Sequence, residues 1–145
     1  MGNIVLYDTR VVNRMAVTED MCIGRTTILG NIFTHLDIRR TTAKFKSANR
    51  DGAVADFESW LLIMDPKWQN IETERRRFVL SKIDTMKGKK LGCFCEPQLC
   101  HGSVYVRLVG TYVDMRALGR EPNWSTINGI GLIRGYYQSL KRRVG

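Results

Sequence analysis

The residues with the clearest chemical potential form one short, cysteine-rich segment. Three of the four cysteines in the chain, Cys93, Cys95 and Cys100, lie within eight residues, and His101 follows directly. We expect a strand to end at the first cysteines and a helix to begin near His101, where unpaired N–H groups and the helix dipole lower the pKa of a thiol. The segment therefore predicts a thiolate nucleophile at Cys95 or Cys100, with His101 or Glu96 as its acid–base partner.

The same segment is open to two other interpretations. A zinc site would use the ligand set Cys93, Cys95, Cys100 and His101. Structural zinc, however, usually takes cysteines from Cys-x2-Cys pairs, and adjacent Cys-His residues seldom reach one tetrahedral ion together. In the other interpretation, the thiols are small buried groups that pack a turn stiffened by Pro97. Disulfides are not expected, because cytosolic thiols are kept reduced.

Two glycines beside polar residues, in Gly24-Arg25 and Gly30-Asn31, mark a second candidate segment. Glycine permits sharp bends and close approach of the backbone to a ligand. The guanidinium group of Arg25 can bind a phosphate or carboxylate, or it can pair with an acid on the surface. Asn31 can hydrogen-bond a base or ribose, or it can serve only as a turn residue.

The start of the helix after the cysteines offers a further place for an anion. Backbone N–H groups at Gly102 and Ser103 would be unpaired there and could hold a phosphate. Two other potentially reactive residues, His35 and Cys22, are expected to have no catalytic or binding role. His35 stands alone and is expected to be exposed, and Cys22 is expected to lie in the core.

Hydrophobic spacing predicts the elements that must position these segments. Helical spacing predicts three helices, over Ala53–Met64, Glu72–Met86 and about His101–Gly119. Runs of β-prone residues predict three strands, over Ile4–Tyr7, Arg10–Asn13 and Lys89–Phe94. Phe78 is expected to face the core, and Arg75–Arg77 to form a solvated helix face. A basic stretch from Arg39 to Arg50 is expected to be a solvated loop, with Asn49 or Asp51 capping the first helix.

Together these elements predict a small single α/β domain over residues 1–119. A short central β-sheet would be flanked by about three to four helices, with the cysteine segment between a strand and a helix N-terminus. Residues 120–145 are predicted to be a basic carboxyl-terminal extension, packed on the domain or flexible, with a helix around Leu132–Leu140.

Length and composition narrow the class of protein. The chain has 145 residues, 43% of them hydrophobic, which is enough for a core, and no run is long enough to predict a membrane span. No secretory signal pattern is found, so the cytosol is the expected compartment. A net charge of +9 suggests a polyanionic partner such as a nucleotide or a nucleic acid, or an acidic protein.

The cysteine segment and two other stretches of the sequence resemble a known family. The segment Leu91–Gly102 resembles the signature LxCxCxPxxCHG of the family called domain of unknown function 4326, which is common in bacteriophages and bacteria. Val11–Asn13 resembles the opening strand of that family, and Ile23–Arg25 with Leu29–Phe33 resembles its IGR…LGNPF element. Ile32 stands where the family has proline, and Phe94 stands where it usually has tryptophan. The resemblance implies an α/β domain in a phage or bacterial setting and supplies no reaction.

We therefore expect a small protein that acts on or binds a nucleotide, nucleoside or nucleic-acid base through the cysteine and Gly-Arg segments. It could be a hydrolase- or transferase-type enzyme; no cofactor is required, and zinc is possible. One alternative is a nucleic-acid-binding module without catalysis, with or without a zinc ion that staples it. The other is a phage protein that binds and modulates a host protein. A membrane partner is not expected.

Overall fold

The strand that leads into the cysteine segment is the middle strand of a parallel sheet. The computed structural model describes residues 3–25, 27–36, 43–96 and 98–144. Its strands are β1 (Arg10–Asn13), β2 (Met21–Cys22), β3 (Phe33–Thr34), β4 (Phe45–Lys46) and β5 (Lys90–Cys93). The order in the larger sheet is β1-β5-β2, all parallel, and β3 pairs with β4 in a second small parallel sheet.

Four α-helices and two 3-10 turns complete the described chain. The α-helices are α1 (Arg50–Leu61), α2 (Thr73–Lys82), α3 (Gly102–Ala117) and α4 (Ile127–Val144), and the 3-10 turns are Pro66–Trp68 and Ile83–Met86. Asn49 caps α1, because its side-chain oxygen accepts a hydrogen bond from the Gly52 N–H at 2.7 Å. Within the described residues, none of the helices combines the length and apolar character needed to cross a membrane.

Helix α3 forms the centre of the hydrophobic core. It is buried along nearly its whole length and contacts β1, the 3-10 turn Ile83–Met86 and α4. Aliphatic and aromatic side chains from α1, α2 and β5 complete one continuous core cluster. This burial of apolar surface is the main force that holds the sheet and helices together. The structure is a small α/β domain, as the sequence predicts.

The carboxyl-terminal helix packs on the rest of the protein through both apolar and polar contacts. Ile130, Ile133 and Tyr137 belong to the same core cluster as α3. The buried carboxylate of Glu58, in α1, accepts hydrogen bonds from the Tyr137 hydroxyl and, at 2.8 Å, from Lys141 Nζ. A buried carboxylate without such partners would be strongly destabilising. Helix α4 extends well beyond the predicted Leu132–Leu140.

Some sequence expectations about individual elements are wrong. The Ile4–Tyr7 run is not a strand, since it makes only an isolated bridge between Leu6 and Thr9. Phe78 is 40% exposed because its position on α2 faces solvent. The expected loop from Arg39 to Arg50 contains β4 in its described part, and residues 39–42 lie outside the described residues, as does Pro97.

The predicted solvated face Arg75–Arg77 is also wrong for its middle residue. Arg76 is only 2% exposed and donates hydrogen bonds to the carbonyls of Trp60, Gln69, Trp68 and Ile71. These carbonyls lie at the end of α1 and in the 3-10 turn and loop that follow, where the regular helix hydrogen bonds have ended. Arg76 therefore connects α2 to the end of α1, a role that no local pattern indicates.

Candidate functional site

A cavity of about 350 Å³ opens at the carboxyl ends of β2 and β5. Ligands of parallel α/β sheets usually bind at this edge, and the volume is within the range of small-molecule sites. Four segments line it: the loop after β2, the end of β3, the start of α1 and the cysteine segment. The main lining residues are Gly24, Arg25, Asn31, Thr34, His35, Leu36, Arg50, Cys93, Phe94, Cys95, Leu99, Cys100 and His101.

The three cysteines among these lining residues form a compact cluster of sulfurs. The Sγ atoms of Cys93, Cys95 and Cys100 all lie within 4.8 Å of one another. Cys93 ends β5 and Cys95 is two residues later, so the alternation of side chains brings both sulfurs to one side while Phe94 is largely exposed. Cys100 reaches them from the residues that precede α3. We call Cys93, Cys95 and Cys100 the cysteine cluster; these three thiols could hold a metal ion.

Hydrogen bonds among the three sulfurs separate their pKa values. Bonds from Cys100 and Cys93, with help from the nearby Arg50 guanidinium, hold the pKa of Cys95 well below its usual range. Donation to its two neighbours, together with burial, raises the pKa of Cys100. For Cys93, the bond from Cys100 is outweighed by the bond to Cys95 and by burial, which raise its pKa. Cys95 is thus the thiolate of the metal-free cluster.

His101 lies behind the cluster and fixes the opposite loop. Its Nε2 donates to the carbonyl oxygen of Leu29 at 2.9 Å, and its Nδ1 lies 3.6 Å from Cys100 Sγ. Because a carbonyl can only accept, the proton of the neutral ring is on Nε2 and the Nδ1 lone pair faces Cys100. Burial lowers the pKa of His101 to about 4, so the ring is neutral near pH 7.

The Gly-Arg loop is held in place from three sides. The hydroxyl of Tyr105, in α3, donates to the same Leu29 carbonyl at 2.6 Å. Arg75, in α2, donates to the Gly30 carbonyl at 3.2 Å, and Asn31 bridges the loop to α1 through the Ala53 carbonyl at 3.1 Å. The loop is therefore a preformed wall of the cavity, and Asn31 uses both ends of its amide inside the protein.

Two arginines bring positive charge to the cavity. Arg25 donates to the Phe33 carbonyl at 3.2 Å, and burial lowers its pKa, against the effect of nearby Cys95 and Cys100. Arg50 is the first residue of α1 and lines the same space. In the part of the chain that the structure describes, the Arg50 side chain makes no hydrogen bond or ion pair. The cavity thus combines two guanidinium groups with the cysteine cluster.

Other predicted site residues lie around the cavity without lining it. Glu96 turns away: its carboxylate accepts from Asn3 Nδ2 at 2.9 Å. Gly102 packs so closely that an added Cβ would lie 2.6 Å from Val11 Cγ2, although its N–H donates to Cys100 Sγ at 3.2 Å. Ser103 is fully buried and donates from its hydroxyl to the Cys100 carbonyl. These three residues shape the turn that presents Cys100.

Comparison with known proteins adds a family to this geometry. A family model described as Domain of unknown function (DUF4326) matches residues 9–111, which is more than half of the chain. The chain belongs to the DUF4326 family. No curated protein and no solved structure matches it. The DUF4326 segment begins just before β1 and ends within α3, so it contains every residue that lines the cavity.

Three polar residues of the cavity are not indicated by the sequence of this DUF4326 protein. Its patterns predict a solvated loop at Arg50 and an exposed His35, and none of them marks Thr34. His35 is in fact half-buried and lines the cavity. The long-range packing of β3 and α1 against the cysteine segment brings these residues in, and no local spacing could have indicated it. The basic character of residues 39–50 was the one available signal for Arg50.

Proposed function

We propose that this protein binds a nucleotide, nucleoside or nucleic-acid base in the cavity and acts on it at the cysteine cluster. The observation that carries the proposal is the convergence of Arg25 and Arg50 with Cys95 in one space of about 350 Å³. Cavities of this size that combine apolar walls with a few convergent polar groups are typical small-molecule sites. The net charge of +9 agrees with an anionic ligand.

The anionic part of the ligand is assigned to the arginines. A guanidinium group offers a planar fork of donors that matches a phosphate or carboxylate, and such charge-assisted bonds are among the strongest available. Arg50 has its donors available within the described structure, whereas Arg25 already uses one on Phe33. We therefore assign Arg50 the larger share of anion binding and Arg25 a supporting share.

The remaining part of the ligand would lie toward His35 and the cysteine cluster. His35 has no hydrogen bond to another described residue, so its ring can serve the edge of a base. Cys95 is more exposed than Cys93 and Cys100, which are almost completely buried. An electrophilic carbon of the ligand would meet Cys95 first. We assign nucleophilic addition to the metal-free cluster: the Cys95 thiolate forms a C–S bond, a π bond of that carbon breaks, and the atom that receives its electron pair takes a proton from water. Zinc is the cofactor that the three thiols would suit.

A binding experiment with a matched pair of arginine variants tests this proposal. Nucleoside monophosphates, nucleosides, free bases and a short oligonucleotide would be titrated calorimetrically into chelator-treated protein. The same titrations would use Arg50→Gln and, as control, Arg120→Gln, which is exposed beyond the far end of α3. We expect a phosphate-bearing monomer to bind, and Arg50→Gln to weaken it roughly tenfold, or about 1.4 kcal/mol.

Three outcomes would overturn the proposal. The first is that no monomeric ligand binds. The second is that both arginine variants weaken binding equally, which would indicate general attraction to a basic surface. The third is that only the oligonucleotide binds, with a steep dependence on salt, since that behaviour is typical of a nucleic-acid-binding module.

A further inference from the structure

We propose that Cys93, Cys95 and Cys100 together bind one thiophilic cation of the zinc class, and that this ion keeps one coordination position open toward the cavity. The inference deepens the proposed function, since it concerns the same cavity. It does not require the nucleotide ligand. It also differs from a closed four-ligand zinc site, because His101 is not among the ligands.

The separation of the sulfurs is the first argument. Four-coordinate zinc holds thiolates at about 2.3 Å, which places neighbouring sulfurs about 3.8 Å apart. The three sulfurs already lie within 4.8 Å of one another. Movement of about 1 Å or less would therefore complete three bonds. Cys95 is in the loop beyond β5, where such a movement costs least, while Cys93 and Cys100 are fixed by the core.

The surroundings of the cluster are suited to thiolates. The Gly102 N–H donates to Cys100 Sγ at 3.2 Å, and such bonds to ligand atoms orient and stabilise metal sites. Three thiolates and a divalent ion leave one net negative charge. Arg25 and Arg50 line the same cavity and balance that charge. Only a cation would allow all three sulfurs to be thiolates at once, because like charges repel one another in a poorly hydrated space.

The open coordination position of the ion follows from the lack of a fourth ligand among the neighbouring described side chains. Among the described histidines, aspartates and glutamates, none joins the three sulfurs as a fourth ligand. His101 Nδ1 lies beside Cys100 Sγ but not within 4.8 Å of all three sulfurs, and the Glu96 carboxylate accepts from Asn3. All three cysteines line the cavity, so the vacant side of the ion faces it. Three protein ligands and one open position are the pattern of catalytic rather than structural zinc.

The ion would change which group reacts. A bound cation would withdraw electron density from the Cys95 sulfur and lower its nucleophilicity, so we assign the nucleophilic role of Cys95 to the metal-free protein. In the metal-loaded protein, the reacting atom is whichever ligand atom takes the open position. The arginines then serve a second purpose, because they hold the anionic part of that ligand beside the ion.

Metal binding is tested first with zinc chloride alone. Full-length protein, stripped with a chelator under reducing conditions, is titrated with zinc against a chromophoric chelator, and its thiols are counted with and without the ion. We expect one zinc per chain and protection of three thiols, reversed by excess chelator. Cys95→Ser should weaken zinc binding by roughly 100-fold or more, whereas Cys22→Ser, outside the cluster, should leave it unchanged.

The open position is tested spectroscopically with cobalt(II) in place of zinc. Thiolate-to-cobalt charge-transfer bands should appear in wild type and Cys22→Ser, and should weaken in Cys95→Ser. Added imidazole should shift the visible d–d bands, because it can occupy the open position. If imidazole leaves the d–d bands unchanged, the site has no open coordination position, and that part of the proposal is overturned. The cobalt spectrum of the wild-type protein tests the open position without any variant at the buried Cys93 or Cys100, whose substitution could unfold the protein.

The whole inference is overturned if zinc binds only weakly, or if Cys22→Ser impairs binding as much as Cys95→Ser. The proposed function is tested independently of this inference, because its nucleotide titrations use chelator-treated protein. Nucleotide binding without zinc binding would remove only this inference. Zinc binding with no nucleotide binding would remove only the proposed function.

Discussion

Gly30 lies directly against Arg25. A Cβ atom on Gly30 would fall 2.5 Å from the Arg25 Cα and 2.6 Å from the Gly24 carbonyl oxygen. Both of those atoms belong to the backbone and cannot swing aside as a flexible side chain would. The position of one cavity arginine therefore depends on the absence of a side chain five residues later.

The first prediction follows from this contact. Gly30→Ala should lower the free energy of unfolding by about 1–3 kcal/mol, because the added methyl group overpacks the loop. It should also displace Arg25 and weaken ligand binding. Gly135→Ala is the matched control: nothing lies within 4 Å of its added Cβ on the exposed side of α4, so it should stabilise by about 0.5–1 kcal/mol. Urea unfolding measures both; equal effects would contradict the prediction.

The second prediction concerns the arginine that connects α2 to the end of α1. Arg76→Lys should destabilise the protein by about 1–3 kcal/mol, because lysine lacks the planar fork that serves several buried carbonyls at once. The adjacent Arg77 is exposed, so Arg77→Lys should change stability by less than about 0.5 kcal/mol. Thermal unfolding followed by circular dichroism compares them. A tolerated Arg76→Lys would show that water replaces the lost donors.

The third prediction concerns the buried carboxylate beneath α4. Glu58→Ala should cost about 1–3 kcal/mol, since it leaves the Tyr137 hydroxyl buried without its acceptor. Asp114→Ala removes a more exposed pair, with Arg143 at 2.7 Å, and should cost about 0–1 kcal/mol. Hydrogen exchange of the α4 amides should accelerate in Glu58→Ala only. Unchanged exchange there would mean that apolar contacts alone hold the helix.

The fourth prediction is a pH profile for the metal-free protein. Because the pKa of Cys95 is lowered, its thiolate is already present near neutral pH. Its alkylation by iodoacetamide should stay nearly level between about pH 6 and 9, whereas an ordinary thiol gains about tenfold per unit below a pKa near 8.5. Peptide mapping should place the first adduct on Cys95. A steep rise with pH, or a first adduct on Cys100, would contradict the hydrogen-bond arrangement.

Regular spacing predicted the helices of the core well. The buried positions Val54, Phe57, Trp60 and Leu61 gave α1, and the four-residue repeat after His101 gave α3. The two-residue strands β2, β3 and β4 are too short to carry an alternation, so their pairing is decided by tertiary contacts. The start of α1 lies three residues before the predicted Ala53, because Asn49 provides the cap.

The sequence indicates those parts of the candidate site whose reactive residues lie close together along the chain. The cysteine segment and the Gly-Arg loop, which the sequence singles out by their thiols and glycines, both line the cavity. Arg50 and His35 join them only because β3 and α1 pack beside β5, and such contacts leave no local trace. The outward turn of Glu96 depends on Asn3, more than ninety residues earlier in the chain.

The central place of β5 has a consequence for biosynthesis. β1 and β2 do not touch each other as neighbours, and each pairs with β5, which begins only at Lys90. A nascent chain therefore carries two unpaired strand edges until most of the protein has been translated. Contacts between positions so far apart in sequence slow folding, and they prolong the exposure of hydrophobic surface and unpaired strand edges that promote aggregation. We expect the yield of soluble protein to depend on translation speed and chaperone supply, and truncations before residue 93 to aggregate.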